Sequence, residues 1–169
     1  VDDFTNEYFF TESIELLQNH PEIVGAKAKA LFIPPIHGTA PISFSIFGNE
    51  YQRYKTFIQF SRVSHAVNYA IFRKKDLQEF MGKFHKAFIG YDWTWGLWMS
   101  SKGPIIETPN GEIEFTANGI SRDPDVFKLL ATNIFDRYVP YHKLSISILR
   151  IAANSVRSEE HTSELQSRL

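Results

Sequence analysis

The period of the hydrophobic residues changes several times along this chain, and that change limits the folds it can adopt. Segments 4–18, 75–89 and 124–138 repeat their apolar residues with the 3.6-residue period of a helix. Between them, apolar and polar residues alternate as in a strand with one buried face, most clearly over 42–46. A chain that mixes the two periods in this way is expected to combine helices with a sheet.

The strand candidates are short segments rich in β-branched and aromatic residues, and they lie at 28–33, 42–46, 54–60, 66–72, 93–99, 104–108, 112–117 and 143–151. Residues 108–111 (TPNG) are typical of a tight turn between two strands, because Asn-Gly accepts the positive φ angles of such a turn. Strands that follow one another directly favour antiparallel pairing. The sequence therefore predicts an α+β domain, with a mainly antiparallel sheet of about 6–8 strands and three helices packed on it.

The two ends of the chain differ from its body in sequence character. Residues 157–167 (RSEEHTSELQS) resemble the in-frame translation of a sequencing-library adapter, and the chain begins at Val1 without an initiator Met. We therefore expect a single, truncated domain over 1–156, followed by an artefactual tail over 157–169 without regular structure.

Composition excludes several classes of protein. The chain has no Cys, which rules out disulfides, cysteine zinc sites and thiol catalysis within it and favours a reducing compartment such as the cytoplasm. It has no apolar run near the roughly 20 residues of a membrane-spanning helix. Neither a metal-ligand spacing of histidines and carboxylates nor a phosphate-binding loop is present, so no metal and no cofactor is predicted.

Charge is segregated along the chain. Residues 51–90 hold eight basic residues and two acidic ones, whereas residues 1–50 hold two basic and seven acidic. The basic residues that could form one face are Arg53, Arg62, Arg73, Lys74, Lys75, Lys83 and Lys86. Such a face could follow the phosphates of single-stranded nucleic acid, or it could be the ordinary solvated surface of the domain.

All three tryptophans lie in one short segment. On the predicted strand over 93–99, Trp93 and Trp95 share a face and Trp98 takes the other. One of these faces could stack bases or sugar rings, or all three rings could fill the core.

Chemistry-bearing residues are scattered and form no catalytic motif. If the chain is part of an enzyme, the residues to test are His65, His85, Asp92 and Glu107. The leading hypothesis is a non-catalytic binding or assembly module that engages single-stranded nucleic acid through the basic residues and the tryptophan segment. The alternatives are a fragment of an enzyme, most plausibly a nucleic-acid-processing one, with some catalytic residues outside the chain, and a structural, coat-type subunit. The sequence does not determine the oligomeric state or the ligand.

Overall fold

The fold is taken from a computed structural model. It describes residues 3–4, 7–33, 43–60, 65–116, 125, 128, 130–131, 134–139 and 141–153. The predicted tail over 157–169 and the predicted helix start at Asp123 and Pro124 lie outside these residues.

Helices dominate the described part of the chain. The helices are α1 (Tyr8–Asn19), α2 (Glu50–Gln59), α3 (His65–Asn68), α4 (Lys74–Lys83), α5 (Tyr91–Lys102), α6 (Ile134–Tyr138) and α7 (142–153). The strands are β1 (Asp3–Phe4), β2 (Gly25–Ile33), β3 (Ile71–Phe72) and β4 (Ile105–Thr116).

The sheet is small and mixed, with the order β1-β4-β2-β3. Its two long strands, β2 and β4, run parallel, and each two-residue outer strand pairs antiparallel with its neighbour. The domain is α+β, but the predicted antiparallel sheet of 6–8 strands with three helices is wrong. The described ranges hold the four strands and seven helices given above, and residues 125, 128 and 130 are helical as well.

The predicted hairpin over 104–117 is one continuous strand with a bulge. Lys27 pairs with Glu107 and Lys29 with Glu112, so residues 108–111 bulge out opposite a single residue of β2. The carboxylate of Glu12 on α1 holds this bulge, because it accepts from the backbone N of Asn110 at 3.0 Å and from its side-chain amide at 2.6 Å. The Asn-Gly pair therefore serves the contact with α1 and does not reverse the chain.

Three of the predicted strands are helices, namely 54–60 in α2, 93–99 in α5 and 143–151 in α7. A fourth, 66–72, divides between α3 and the two residues of β3. In α7 the serines of the apparent alternation are helical residues, since Ser147 is buried and its hydroxyl donates to Lys143 O, one turn earlier, at 2.7 Å. Aromatic and β-branched residues raise strand propensity only weakly, and tertiary packing overrides it here.

Two of the three predicted helices are confirmed as helices but differ in length. α1 begins at Tyr8, four residues after the start of the predicted helix over 4–18, and Phe4 lies in β1. The helix predicted over 75–89 ends at Lys83. Phe84 and Phe88 follow that end and are still buried, so their helical spacing reflects burial alone. In the third segment, the described residues 125, 128 and 130 are helical and α6 begins at Ile134.

The main core lies where α2, α4 and α5 pack on the edge of the sheet. Its buried members are Val24, Phe44, Ile46, Phe57, Val67, Phe80, Phe84, Phe88, Leu97, Trp98, Met99, Ile105 and Ile151. A smaller cluster joins Phe9 of α1 to Ala28 and Ala30 of β2, where the small side chains leave room for the aromatic ring. Since successive strand residues point to opposite faces, Lys27 lies on the other face of β2 from these alanines.

We predict that Gly96→Ala in α5 destabilises the fold by about 1–3 kcal/mol, because a methyl group there would overlap the Phe57 ring of α2. Gly82→Ala in α4 is the matched control, since no atom lies within 4 Å of the added methyl group. That variant should be neutral or gain up to about 1 kcal/mol from helix propensity. Urea unfolding of both variants measures the difference. Equal stability of the two would contradict the close α2–α5 contact.

Candidate functional site

The tryptophan segment lies on α5 and only part of it faces open space. Trp98 is 3% exposed in the core, and the Lys83 and Lys102 ammonium groups lie 4.4 and 4.6 Å from its ring centroid. Trp95 is half-buried and makes edge contacts with Phe72 and Phe80. Trp93 borders two cavities, and is therefore the tryptophan best placed to meet a ligand.

The two described arginines of the 51–90 segment are used inside the protein. Arg53 donates to the carbonyl oxygens of Gly48 and Ser100, each at 2.6 Å, and burial lowers its pKa although Glu50 and Tyr54 oppose that shift. Arg73 donates to Leu17 O in the last turn of α1, and to His20 O and Ile23 O, which follow that helix; its distance to Ile23 O is 2.9 Å. Arg62 lies outside the described residues.

The lysines of this segment divide between the two ends of α4. Lys74 and Lys75 are exposed at its first turn. Lys83 is the last residue of α4, and Lys86 follows the helix. At a rise of 1.5 Å per residue, the backbone of Lys83 lies roughly 13 Å along the helix axis from that of Lys74. Among the described residues, the predicted basic face is therefore divided: two arginines bond to backbone carbonyl oxygens, and the lysines lie at opposite ends of α4.

A basic groove of about 300 Å³ lies between the end of α4 and α7, and we define it by the basic residues that line it. These residues are Lys83, His85, Lys86, Lys143 and Arg150. Lys83 pairs with Glu79 at 3.5 Å and Lys143 with the buried Asp136 at 2.8 Å. Within the described chain, Lys86 and Arg150 have no ion-pair partner.

An aromatic cleft of about 690 Å³ adjoins the basic groove and shares Ala87 and Phe88 with it. Its rings are Phe88, Tyr91, Trp93 and Tyr141, and Asp92 is its acidic residue. α7 connects the two sites, because it lies along both and supplies Leu144 to the cleft and Lys143 and Arg150 to the groove.

Gly90 fixes the position of the cleft. It has φ of 85°, a left-handed conformation that favours glycine and turns the chain into α5. A Cβ at this position would also lie 2.9 Å from the Leu144 side chain, so glycine allows α7 to approach. The start of α5 and the start of α7 consequently form two walls of the same cleft.

The hydroxyl of Tyr91 is already engaged. It donates to Phe84 O at 2.8 Å, and partial burial raises the pKa of Tyr91 above its ordinary value. Tyr91 is therefore neutral near pH 7 and presents its ring to the cleft.

A separate polar cluster lies on the β2–β4 pair, at Lys27, Glu107 and Ser43. The Lys27 ammonium and the Ser43 hydroxyl both donate to Glu107, and the backbone N of Phe44 donates to the same carboxylate at 3.2 Å. The Lys27 side chain is 0% exposed and that of Glu107 is 12% exposed. Burial lowers the pKa of Lys27, while the hydrogen bond and the charge of Glu107 act in the opposite direction. This cluster fastens residues 43–46 to the sheet, since Glu107 N also donates to Ser45 Oγ at 2.9 Å and Ile46 bridges to Ile105.

The structure places the four candidate catalytic residues in different surroundings. Glu107 lies in the polar cluster with Lys27, His85 in the basic groove and Asp92 in the aromatic cleft, while His65 begins α3. Within the described ranges, no group of three or more histidine, aspartate or glutamate side chains is arranged to hold a metal ion. Among the helices described, none is both long and apolar enough to cross a membrane.

Sequence reasoning missed the contribution of α7. Tyr141, Lys143, Leu144 and Arg150 lie in or beside a segment that its serine alternation predicts as a strand. The spacing of Lys143, Ser147 and Arg150, at i, i+4 and i+7, is the signal that would place them on one helical face.

We predict that Glu107→Ala lowers the free energy of unfolding by about 3–5 kcal/mol, because it leaves the ammonium of Lys27 buried without its carboxylate. The double variant Lys27→Met with Glu107→Leu should recover most of that loss, since it removes both buried charges. Glu79→Ala, which breaks the exposed pairs with Lys102 and Lys83, is the control and should cost at most about 1 kcal/mol. Denaturant unfolding distinguishes the three. A loss in the double variant as large as in Glu107→Ala would contradict this role of the pair.

The lowered pKa of Lys27 also predicts a pH dependence. Between that lowered value and the ordinary value of 10.5, the unfolded chain binds more protons than the folded one, so this lysine makes stability rise as pH rises. The contribution of Lys27 to the free energy of unfolding is complete above pH 10.5, and it is lost as the pH falls through the lowered pKa of the folded state. The difference in unfolding free energy between the wild type and Lys27→Met, measured from neutral to alkaline pH, should therefore move in favour of the wild type. Tyr91 is present in both proteins and cancels in this difference; a flat difference would refute the pH dependence.

No protein-family model, curated protein or solved structure matches the chain.

Proposed function

We propose that this chain is a non-catalytic binding module for single-stranded nucleic acid, with the phosphate backbone in the basic groove and a base in the aromatic cleft. The observation that carries the proposal is the contact between the two sites, which share Ala87 and Phe88. Single-stranded nucleic acid requires this combination, because cations neutralise its phosphates and aromatic faces stack on its bases.

The cations of the groove support a modest electrostatic contribution. Lys86 and Arg150 have no ion-pair partner in the described residues and are exposed, so they can approach a phosphate without breaking an existing pair. Lys83 and Lys143 each have an acidic neighbour, which partly offsets their charge. Arg150 can also engage a phosphate through two N–H groups at once.

The rings of the cleft support stacking of a base. Trp93 is half-buried and Tyr141 is 59% exposed, so both can present a face to a ligand. Stacking on an aromatic side chain contributes about 1–3 kcal/mol per base. Phe88 and Tyr91, whose rings meet edge to face at 5.5 Å, hold the floor of the cleft in place.

An assembly role is the second candidate, and exposed apolar side chains on α6 and α7 favour it. Tyr138 is 81% exposed, Leu149 69% and Ile146 45%. Another subunit could cover exposed apolar side chains of this kind.

We predict that a short, fluorescently labelled single-stranded oligonucleotide binds the chain at low salt, as measured by anisotropy. Removing both free cations, as Lys86→Ala with Arg150→Ala, should weaken binding about tenfold or more. It should also reduce the salt slope by about 1.4, or about 0.7 for each phosphate that is no longer neutralised. Lys74→Ala with Lys75→Ala removes the same charge at the far end of α4 and should leave affinity nearly unchanged.

Two results would reject this proposal: no binding at low salt, or equal losses of affinity in the two double variants. Size-exclusion chromatography on the same samples separates the assembly role, which requires concentration-dependent oligomers in the absence of the oligonucleotide.

A further inference from the structure

Asp92 is the feature of the aromatic cleft that base stacking does not require. It lies in the first turn of α5, is half-buried and lines the cleft beside Tyr91 and Trp93. In the described residues, no hydrogen bond or ion pair engages its carboxylate. A carboxylate partly withdrawn from water in a mainly apolar cavity gains from a ligand that donates hydrogen bonds to it.

The chemistry of a carboxylate narrows the choice of base. An ionised carboxylate only accepts hydrogen bonds, and its two oxygens match a pair of adjacent N–H donors. Guanine offers such a pair on one edge, through its ring N1–H and its exocyclic amino group. Adenine and cytosine each place an acceptor next to their amino group, and uracil and thymine flank their single N–H with two carbonyl oxygens.

We propose that the aromatic cleft is a guanine-selective base site and that Asp92 is its specificity-determining residue. This inference rests on the proposed function, in which the phosphates occupy the basic groove. Repulsion between Asp92 and phosphate supports the same orientation, because it directs the phosphates towards Lys86 and Arg150 and leaves the donor edge of the base for the carboxylate.

The surroundings of Asp92 restrict competing polar contacts. The Tyr91 hydroxyl is occupied by Phe84 O, and Phe88, Trp93 and Leu144 contribute apolar surface. Apart from the hydroxyl of the exposed Tyr141, the carboxylate is therefore the polar side-chain group that can distinguish one stacked base from another in this cleft. Stacking alone is tolerant of sequence, because every base has a π face.

The test compares oligonucleotides that differ at a single base, either guanine, inosine or adenine, by fluorescence anisotropy. Inosine keeps the ring N–H of guanine but lacks its amino group, so it isolates one of the two hydrogen bonds. The wild type should bind the guanine oligonucleotide about tenfold more tightly than the inosine one, and adenine more weakly than guanine. Asp92→Asn should lose this preference and shift towards adenine, because an amide offers one donor and one acceptor. Glu15→Gln on the exposed side of α1 makes the same change of charge and should retain the preference.

The failures of the two proposals are distinguishable. Binding that depends on Lys86 and Arg150 but is equal for the three bases would overturn the guanine site and leave the proposed function standing. If no oligonucleotide binds, the proposed function fails. Calorimetry with guanosine monophosphate then tests separately whether the aromatic cleft binds guanine. Binding of that nucleotide that is lost in Asp92→Asn supports the site, and no binding overturns it.

Discussion

The parallel pairing of β2 with β4 is the constraint on which the rest of the structure depends. Parallel neighbours cannot be joined by a tight turn, so a long connection must link the end of β2 at Ile33 to the start of β4 at Ile105. Within this connection the two residues of β3 pair with the start of β2. The helices α2 to α5 lie within this connection and supply most of the main core. The buried Lys27–Glu107 pair lies on the same two strands and fastens the returning segment 43–46 to them. The basic groove and the aromatic cleft follow from this arrangement, because the end of α4 lines the groove and the start of α5 lines the cleft.

Local signals in the sequence correctly predict elements whose burial pattern is simple. The apolar period predicts α1, α4 and β2, although it does not predict which side chains are buried: Phe80 is buried in α4, whereas Leu77 and Met81 of the same period are exposed. The same signals fail for α2, α5 and α7. α5 buries residues around much of its surface, including Thr94, Gly96 and Trp98, so it has no clear apolar stripe. In α7 the alternation of serine with isoleucine imitates a strand, although Ser147 is buried and its hydroxyl bonds within the helix.

The candidate site shows the same division. The sequence identifies Lys83, Lys86 and Trp93 as binding residues, and all three line the groove or the cleft. It gives equal weight to Arg53 and Arg73, which are held by backbone carbonyl oxygens of distant segments. Charge segregation along a sequence does not separate these cases, because an arginine that stabilises a helix end and one that faces solvent have the same local context. Tyr141, Lys143 and Arg150 reach the site only because α7 packs against Gly90, about 50 residues earlier in the chain.

Residue types and short-range period are enough to establish the α+β class, the absence of cysteine chemistry, the helices α1 and α4 and the concentration of positive charge over 51–90. These properties act within a few turns of chain, so they can be recognised without knowing which segments meet. The parallel direction of the strands, the bulge held by Glu12, the internal use of the arginines and the junction of the basic groove with the aromatic cleft required the folded molecule. Each of these depends on which distant segments pack together, and that choice is made by burial and hydrogen bonding over the whole core and not by any local pattern.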